Sequence, residues 1–457
     1  MFRRFVLAAV SALACLASGV RAAAPAEGEW PLPETYFPQL KALLESAVRQ
    51  SPRMLTSNLQ EILAENGRTI ADATRLPNVG GYYRYMPWDR DYRRGDPRSP
   101  YTSERSTYGI NITQPLYHWG ALEDARRIAD LQAKIARGNT AEAYAALASE
   151  LRAQFLQLVT KKAALAGARA NQEFVAQQLA VARDRFERKE ISNADLTAQT
   201  LGAEQAQLVL DRNVADYEWS KRAVEHLAGV APLSEEQVPD AIPALAVPLD
   251  RCESLLAGFA AEGSAGSPAL AELRDQIEIE KRNYHIAKTR LRPNLNLLVG
   301  SSQDQQSYTA NIGQVYGVTS FYAGVQVDWS IFDGFATKGH KANALARRRE
   351  LERSYQRLSG DVIAAAQEQF RQLQFSARAL DLAERQLRLS EDNVKTVQDN
   401  ASRGFAAKPD LHAAEVARDA ARIAAYNARV DAFTRTADFL ATLQKDPVLA
   451  NVSASQP

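Results

Sequence analysis

The sequence predicts a mainly α-helical chain with a transmembrane β part, built from one unit that occurs twice. Three observations carry this prediction. Long Ala-rich stretches, with only 23 Gly and 19 Pro in 457 residues, favour a few long helices over a thick globular core. The segment FYAGVQVDWSIF, Phe321 to Phe332, is apolar at every second residue from Phe321 to Ile331, with Gln326, Asp328 and Ser330 between them. That is the period of a strand with one apolar and one polar face. The third observation is that the two halves of the chain match. SPRML at Ser51 aligns with SPALA at Ser267, TRLPN at Thr74 with TRLRPN at Thr289, and AQFLQL at Ala153 with EQFRQL at Glu368. The offset is 216 from Ser51 to Ser267 and 215 from Asp195 to Asp410. A period that long is no solenoid repeat; it reads as a duplicated unit.

The N-terminus comes first in order. Arg3 and Arg4 precede an apolar run from Phe5 to Leu16, and Val20-Arg21-Ala22 fits a small-x-small cleavage site. Residues 1–22 are therefore expected to be a secretory signal peptide. Lipidation at Cys15 is the alternative, although Ala12-Leu13-Ala14 fits a lipobox poorly. After cleavage Cys252 is the only cysteine, so no intrachain disulfide forms. No later segment has the roughly 18–20 uncharged apolar residues of a membrane-spanning helix. An exported chain of this kind is soluble or enters a membrane as a β-barrel. A net charge of +1 gives no basic excess for nucleic acid.

Each unit has one order of elements. In unit 1 (residues 23–228) a helix over about Pro38 to Arg75 is stopped by Pro77. A strand starts at Asn78, and the loop PWDRDYRRGDPRSPYTSERS follows it. A second strand spans Thr107 to Tyr117, and a helix runs from about Ala121 to Arg188. At 1.5 Å per residue that helix is on the order of 100 Å long. It breaks at ERKEISNADL, where Ser192 or Asn193 caps a returning helix. Residues 229–250, with Pro232, Pro239, Pro243 and Pro248, read as an irregular connection. Unit 2 (residues 251–445) repeats the order: helix Pro268 to Arg290, a strand from Asn294, a second strand Tyr316 to Phe332, then a long helical hairpin broken at SRGFAAKPDL. Its first arm carries Phe370, Leu373, Ala377, Leu380, Leu387 and Val394 at the steps of a coiled-coil seam. Residues 446–457 are expected to form a flexible tail.

If the strands cross a membrane, Val325, Val327 and Trp329 face lipid, with Ile110 and Ile112 from unit 1. Gln326, Asp328, Asn111 and Thr113 then face a watery lumen. An ordinary half-buried soluble sheet shows the same alternation. Tyr82, Tyr83, Tyr85, Trp88, Trp119 and Trp329 lie near strand ends, as an aromatic girdle would. Four strands cannot enclose a lumen, but several chains of four can.

Taken together, the signal peptide, the repeat, Leu76-Pro77 before a strand, TQPLYHWGALEDARRIADLQA at Thr113, DWSIFDGFATKGHKANALARR at Asp328 and the R-G-x5-DL pattern at Arg403 resemble the TolC-type outer-membrane efflux protein family. The resemblance covers nearly the whole mature chain. It implies a homotrimer in which each chain gives four strands to a twelve-stranded β-barrel, continued by a long α-helical coiled-coil barrel. It implies an outer-membrane location with a large periplasmic part, and an exit duct for efflux. A component of type I protein secretion is the runner-up. The implied partners are outer-membrane lipid, a periplasmic adaptor and an inner-membrane pump. The resemblance places Asp410 at an acidic aperture, with Asp195 at the matching place in unit 1. The next acidic position of the family is Ala413 here. Adaptor contact is implied at the hairpin tips, through Lys189 and Glu190, and through Arg403, Gly404 and Phe405. Asp410 also fits the start of a returning helix, where negative charge is favoured. Lys189 stands where unit 2 has Gly404, so the first tip is expected to be turned less tightly.

Nothing points to catalysis or a cofactor. His118, His226, His285, His340 and His412 have no metal-ligand spacing, and no GxSxG, P-loop or HExxH occurs. A structural periplasmic coiled-coil protein is the rival from another class.

Overall fold

The computed structural model describes residues 30–92, 94–95, 101–262, 267–308 and 314–448. The expected signal peptide, Cys15 and residues 449–457 of the expected tail lie outside these residues; the start of that tail is packed rather than flexible, with Asp446 and Val448 buried. In order come α1 (Pro33–Tyr36), α2 (Pro38–Gln50), α3 (Pro52–Ala73), β1 (Asn78–Asp91), β2 (Tyr101–Tyr117), α4 (Ala121–Glu187) and α5 (Asn193–Ala228). After the connection come α6 (Leu249–Glu262), α7 (Pro268–Thr289), β3 (Asn294–Tyr308), β4 (Gln314–Asp328), α8 (Ala336–Ser402) and α9 (Lys408–Thr442).

Three sequence expectations change. The single helix expected over Pro38 to Arg75 is two helices. Ser51 precedes Pro52 and is extended, at φ −60° and ψ 131°, because proline disfavours helical geometry in the residue before it. The helix α6, which stands before α7 as α2 stands before α3, was not expected. The strands also reach further into the polar loops than alternation suggested. Asp89 pairs with Ser103, and β3 continues to Tyr308. Arg105 links these extensions, with its Nε 2.9 Å from Asp304 and its Nη1 3.6 Å from Asp89. Ladder hydrogen bonds need no apolar face, so a strand can persist where the hydrophobic period stops.

The four strands form one antiparallel meander, β1-β2-β3-β4. The register brings Val79, Ile112, Val299 and Ala323 into one row, and Gly80, Asn111, Gly300 and Tyr322 into the next. Residues directly opposite in such a ladder share a face. The second of these rows, and the row of Tyr82, Gly109 and Ser302, depend on glycine. A side chain at Gly300 would meet the Tyr322 hydroxyl and the Ile110 carbonyl at 2.5 and 2.7 Å, and one at Gly109 would meet the Ser301 carbonyl at 2.7 Å.

The helices stack beside the sheet in two tiers. In one tier the contacts run α3–α4–α7–α8, and in the other α5–α4–α9–α8. The core sits where the tiers meet. Leu147, Leu151, Phe155 and Leu158 of α4 are fully buried there against Leu40, Val224 and Phe433. Phe37 packs edge-on to Phe155 at 5.7 Å, and Tyr36 to Phe433 at 5.5 Å. A smaller cluster holds Cys252, Leu373 and Phe439, and burial pushes the Cys252 thiol up to about 11. Its thiolate fraction at neutral pH is negligible, so it is a packing residue.

Candidate functional site: a channel wall with two tips

The sheet sorts the expected membrane residues cleanly. Ile110, Ile112, Val325 and Val327 lie on one face, and Asn111, Thr113, Gln326 and Asp328 on the other, by their register with β3. The apolar face is open, with Ile110 59% and Val325 60% exposed, and on the other face Gln326 and Asp328 are exposed. Trp329 is a correction. β4 ends at Asp328, so Trp329 is not a strand residue, and its indole N–H donates to the Leu291 carbonyl at 3.0 Å. Trp119 does the same to the Pro293 carbonyl at 2.8 Å. Both indoles pin the turn that delivers α7 into β3. Tyr82 also departs from a girdle role, because it sits on the polar face opposite Gly109.

The two hairpin tips have the same backbone. At the second tip Gly404 has φ +80°, and the Phe405 N–H reaches the Asn400 carbonyl at 2.8 Å. At the first tip Lys189 has φ +62°, and the Glu190 N–H reaches the Arg185 carbonyl at 2.9 Å. This is the left-handed helix stop with its six-to-one hydrogen bond. The expectation of a looser first tip is therefore wrong. Lys189 adopts the glycine conformation because closing the hairpin outweighs its local cost. Lys189→Gly is expected to stabilise this tip by about 1 kcal/mol, read as slower amide exchange over residues 186–192. Faster exchange would contradict that.

Asp195 and Asp410 both cap returning helices. The Asp195 carboxylate accepts from the Ser192 hydroxyl at 2.7 Å and the Ser192 N–H at 3.1 Å, while Ser192 Oγ accepts from the Asp195 N–H. This is a reciprocal capping box. Those bonds, the hydroxyl first, hold the Asp195 carboxyl below the usual range. Its contribution to the cap is thus complete above the ordinary carboxylate pKa and is lost as pH falls through the lowered value. At the second tip Ala407 has no hydroxyl, and among the described residues Asp410 accepts from the Ala407 N–H alone, at 2.9 Å. Asp410 is the less tethered carboxylate and stays open to solvent.

The tips differ in surface. Lys189 and Glu190 are polar, with Glu190 3.4 Å from Arg185, whereas Phe405 is an apolar ring 83% exposed. Sequence spacing gave no sign of what holds the second tip to α4. His412 stacks on Phe174 at 3.6 Å between ring centres and meets the Asn171 side-chain oxygen at 2.9 Å.

α8 carries two apolar seams. Leu373, Leu380, Leu387 and Val394 are buried against its neighbours, while Phe375, Leu382 and Leu389 are 59%, 66% and 65% exposed. Each seam has a seven-residue step, and they lie on opposite sides of the helix. The other open helix edges also carry exposed apolar residues: Leu59, Leu63 and Ile70 on α3, and Leu201 and Leu208 on α5. Among the described residues no helix is long and apolar enough to cross a membrane, and no group of His, Cys, Asp or Glu could hold a metal.

The chain is similar to solved outer-membrane channels. The Vibrio cholerae outer membrane protein VceC is 16% identical, with a TM-score of 0.62 over 89% of this chain and 96% of that one. The Campylobacter jejuni CmeC channel is 13% identical, with a TM-score of 0.66 over 91% and 89%. The open-state Neisseria gonorrhoeae MtrE channel is 16% identical, with a TM-score of 0.63 over 89% of each. No curated protein sequence matches the chain. The family model for the outer membrane efflux protein matches residues 43–229 and 262–439, in two segments that leave out most of the connection. The chain belongs to the outer membrane efflux protein family.

Proposed function

We propose that this outer-membrane exit duct works as a ring of three copies, each contributing the β4–α8 edge to the β1–α3–α5 edge of the next. The observation that carries the proposal is the second, exposed seam of α8. A helix with seams on opposite sides has two helical neighbours, and within one chain α8 has its neighbours on one side only. The two sheet edges agree with it. β1 and β4 are long, unpaired edges among the described residues, which a soluble monomer would have to protect. In an up-down meander β1 of the next copy runs antiparallel to β4, so head-to-tail pairing closes without a mismatch. Three copies give twelve strands, an even count as in bacterial outer-membrane barrels.

In this reading Ile110, Ile112, Val325 and Val327 face lipid, and Asn111, Thr113, Gln326 and Asp328 face the lumen. The tips point into the periplasm. The weakly tethered Asp410 carboxylates form the aperture ring, with Asp195 set beside them and Ala413 leaving the ring single. Lys189 and Glu190 of one tip and Arg403, Gly404 and Phe405 of the other meet a periplasmic adaptor, which joins the duct to an inner-membrane pump. The mass and shape of the detergent-extracted protein test the ring. A trimer forming a long tapered cylinder supports it, and a monomer or a dimer ends it.

The tip reading has its own test. Gly404→Val places a β-branched residue at φ +80°, a conformation it strongly resists. Transport is expected to fall at least several-fold while the amount of outer-membrane protein stays the same. Unchanged transport at normal protein level would remove the tip from adaptor docking.

A further inference from the structure

Where the sheet meets the helices, a cleft of about 540 Å³ opens between α7 and α8. Its volume lies within the range of small-molecule sites. Arg290, Arg347, His118, His340, Asn283 and Asn343 line it, over an apolar floor that includes Ile286, Ala287 and Ala344. Glu280 is the one carboxylate in its wall. The arginines are available. Among the described residues, neither Arg290 nor Arg347 has a carboxylate within ion-pair distance, although Arg290 attracts Asp333 at longer range. By contrast the nearby Arg282 and Arg348 are both paired, with Asp124 and Glu352. Arg347 also lines the next groove along α8, with Gln276, Ile279, Ser354 and the carboxylates of Glu280 and Glu350, so the cleft continues down the helix pair into a less basic stretch.

The side on which the cleft opens is fixed by its contacts. His118 Nε2 is 2.9 Å from Asn296 Oδ1, and Asn296 stands opposite Gln326 on the polar face of the sheet. Asn294, also in the wall of the cleft, stands opposite Asp328 on that face. The cleft therefore shares its side with Asn111, Thr113, Gln326 and Asp328.

We propose that this cleft is a binding subsite for anionic solutes with an apolar body, on the exit path just before the barrel. This rests on the reading that the polar face of the sheet is the lumen. Two unpaired guanidinium groups offer forked donors to a carboxylate, sulfonate or phosphate. The asparagines and histidines add neutral polar partners, and the floor takes the apolar part. A soluble cation meets two fixed positive charges there and is repelled.

Two measurements on the purified full-length protein test this. The first is calorimetric titration in detergent with naphthalene-1-sulfonate, and with naphthalen-1-ylmethylammonium as the cationic control. The wild type is expected to bind the sulfonate and not the ammonium, and the R290Q/R347Q double variant to bind at least about tenfold more weakly. Equal binding of the sulfonate by both proteins, or of both probes by the wild type, overturns the site. The second is conductance in planar bilayers. Sulfonate is expected to reduce wild-type conductance and to leave the double variant unaffected. Sulfonate binding that passes the first test without altering conductance overturns the placement on the exit path. In that case the anion site stands away from the conducting path, and the inward orientation of the polar face is decided separately by the arginine substitutions in β2.

Discussion

Arg152→Ala is expected to cost about 3–5 kcal/mol and to lower the yield of folded protein sharply. Arg152 is 2% exposed in the middle of α4. Its guanidinium forks onto two carboxylates at once. Nε donates to Glu34 at 2.9 Å, and Nη1 and Nη2 donate to Asp446 at 2.6 and 3.0 Å. Glu34 lies in α1 and Asp446 follows α9, so one side chain ties both ends of the described chain to the longest helix of the first unit. Alanine would leave two carboxylates in a site that excludes water, and it would also open a cavity beside Leu151 and Phe155. The uncompensated charge is the larger effect, because an unpaired buried ion costs more than the pair gains. A second substitution separates the two causes. Replacing Arg152, Glu34 and Asp446 together with apolar residues of similar size removes the charge problem and should be less damaging than Arg152→Ala alone. Thermal unfolding of the extracted protein provides the comparison. A triple variant less stable than the single one would mean that the cluster contributes by net attraction.

Much of this architecture is legible in the sequence, for identifiable reasons. The long helices were readable because Pro77, Pro293 and Pro409 punctuate runs with few other breakers. The seam at Leu373, Leu380, Leu387 and Val394 was readable because a buried face repeats every seven residues. The alternating strand at Phe321 was readable up to Asp328. Beyond it, Trp329 and Ile331 kept the period by coincidence, since an indole bonded to Leu291 is apolar for a different reason. The break at Ser51 was hidden because a proline at the first position of a helix leaves the same apolar spacing on either side. The closure of the first tip at Lys189 was hidden because sequence shows local cost, and the turn is set by α4 and α5 packing along their lengths. The cleft around Arg290 and Arg347 was least visible. Its walls come from α7, α8, the turn from β2 into α4 and the start of β3, and no spacing along one element encodes a gap between several.

The second large effect lies in the sheet and sets two adjacent residues against each other. Ile112→Arg is expected to prevent stable assembly in the outer membrane, and Asn111→Arg to leave it near the wild-type level. Ile112 stands in the middle of the apolar face, in a row with Val79, Val299 and Ala323. A charge facing lipid near the bilayer midplane costs about 2–4 kcal/mol, and in the proposed ring of three copies that cost arises three times. Asn111 lies on the other face, in a row with Gly80 and Gly300, and in the proposed ring its charge would meet water. The amount of each variant in the outer-membrane fraction is the readout. The contrast matters more than either value, because a general intolerance of arginine in β2 would lower both. If Asn111→Arg were lost and Ile112→Arg retained, the sheet would be inside out, with the cleft at Arg290 opening away from the exit path. If both were retained, the strands would not lie in lipid, and their shared alternation would describe a sheet wet on both faces.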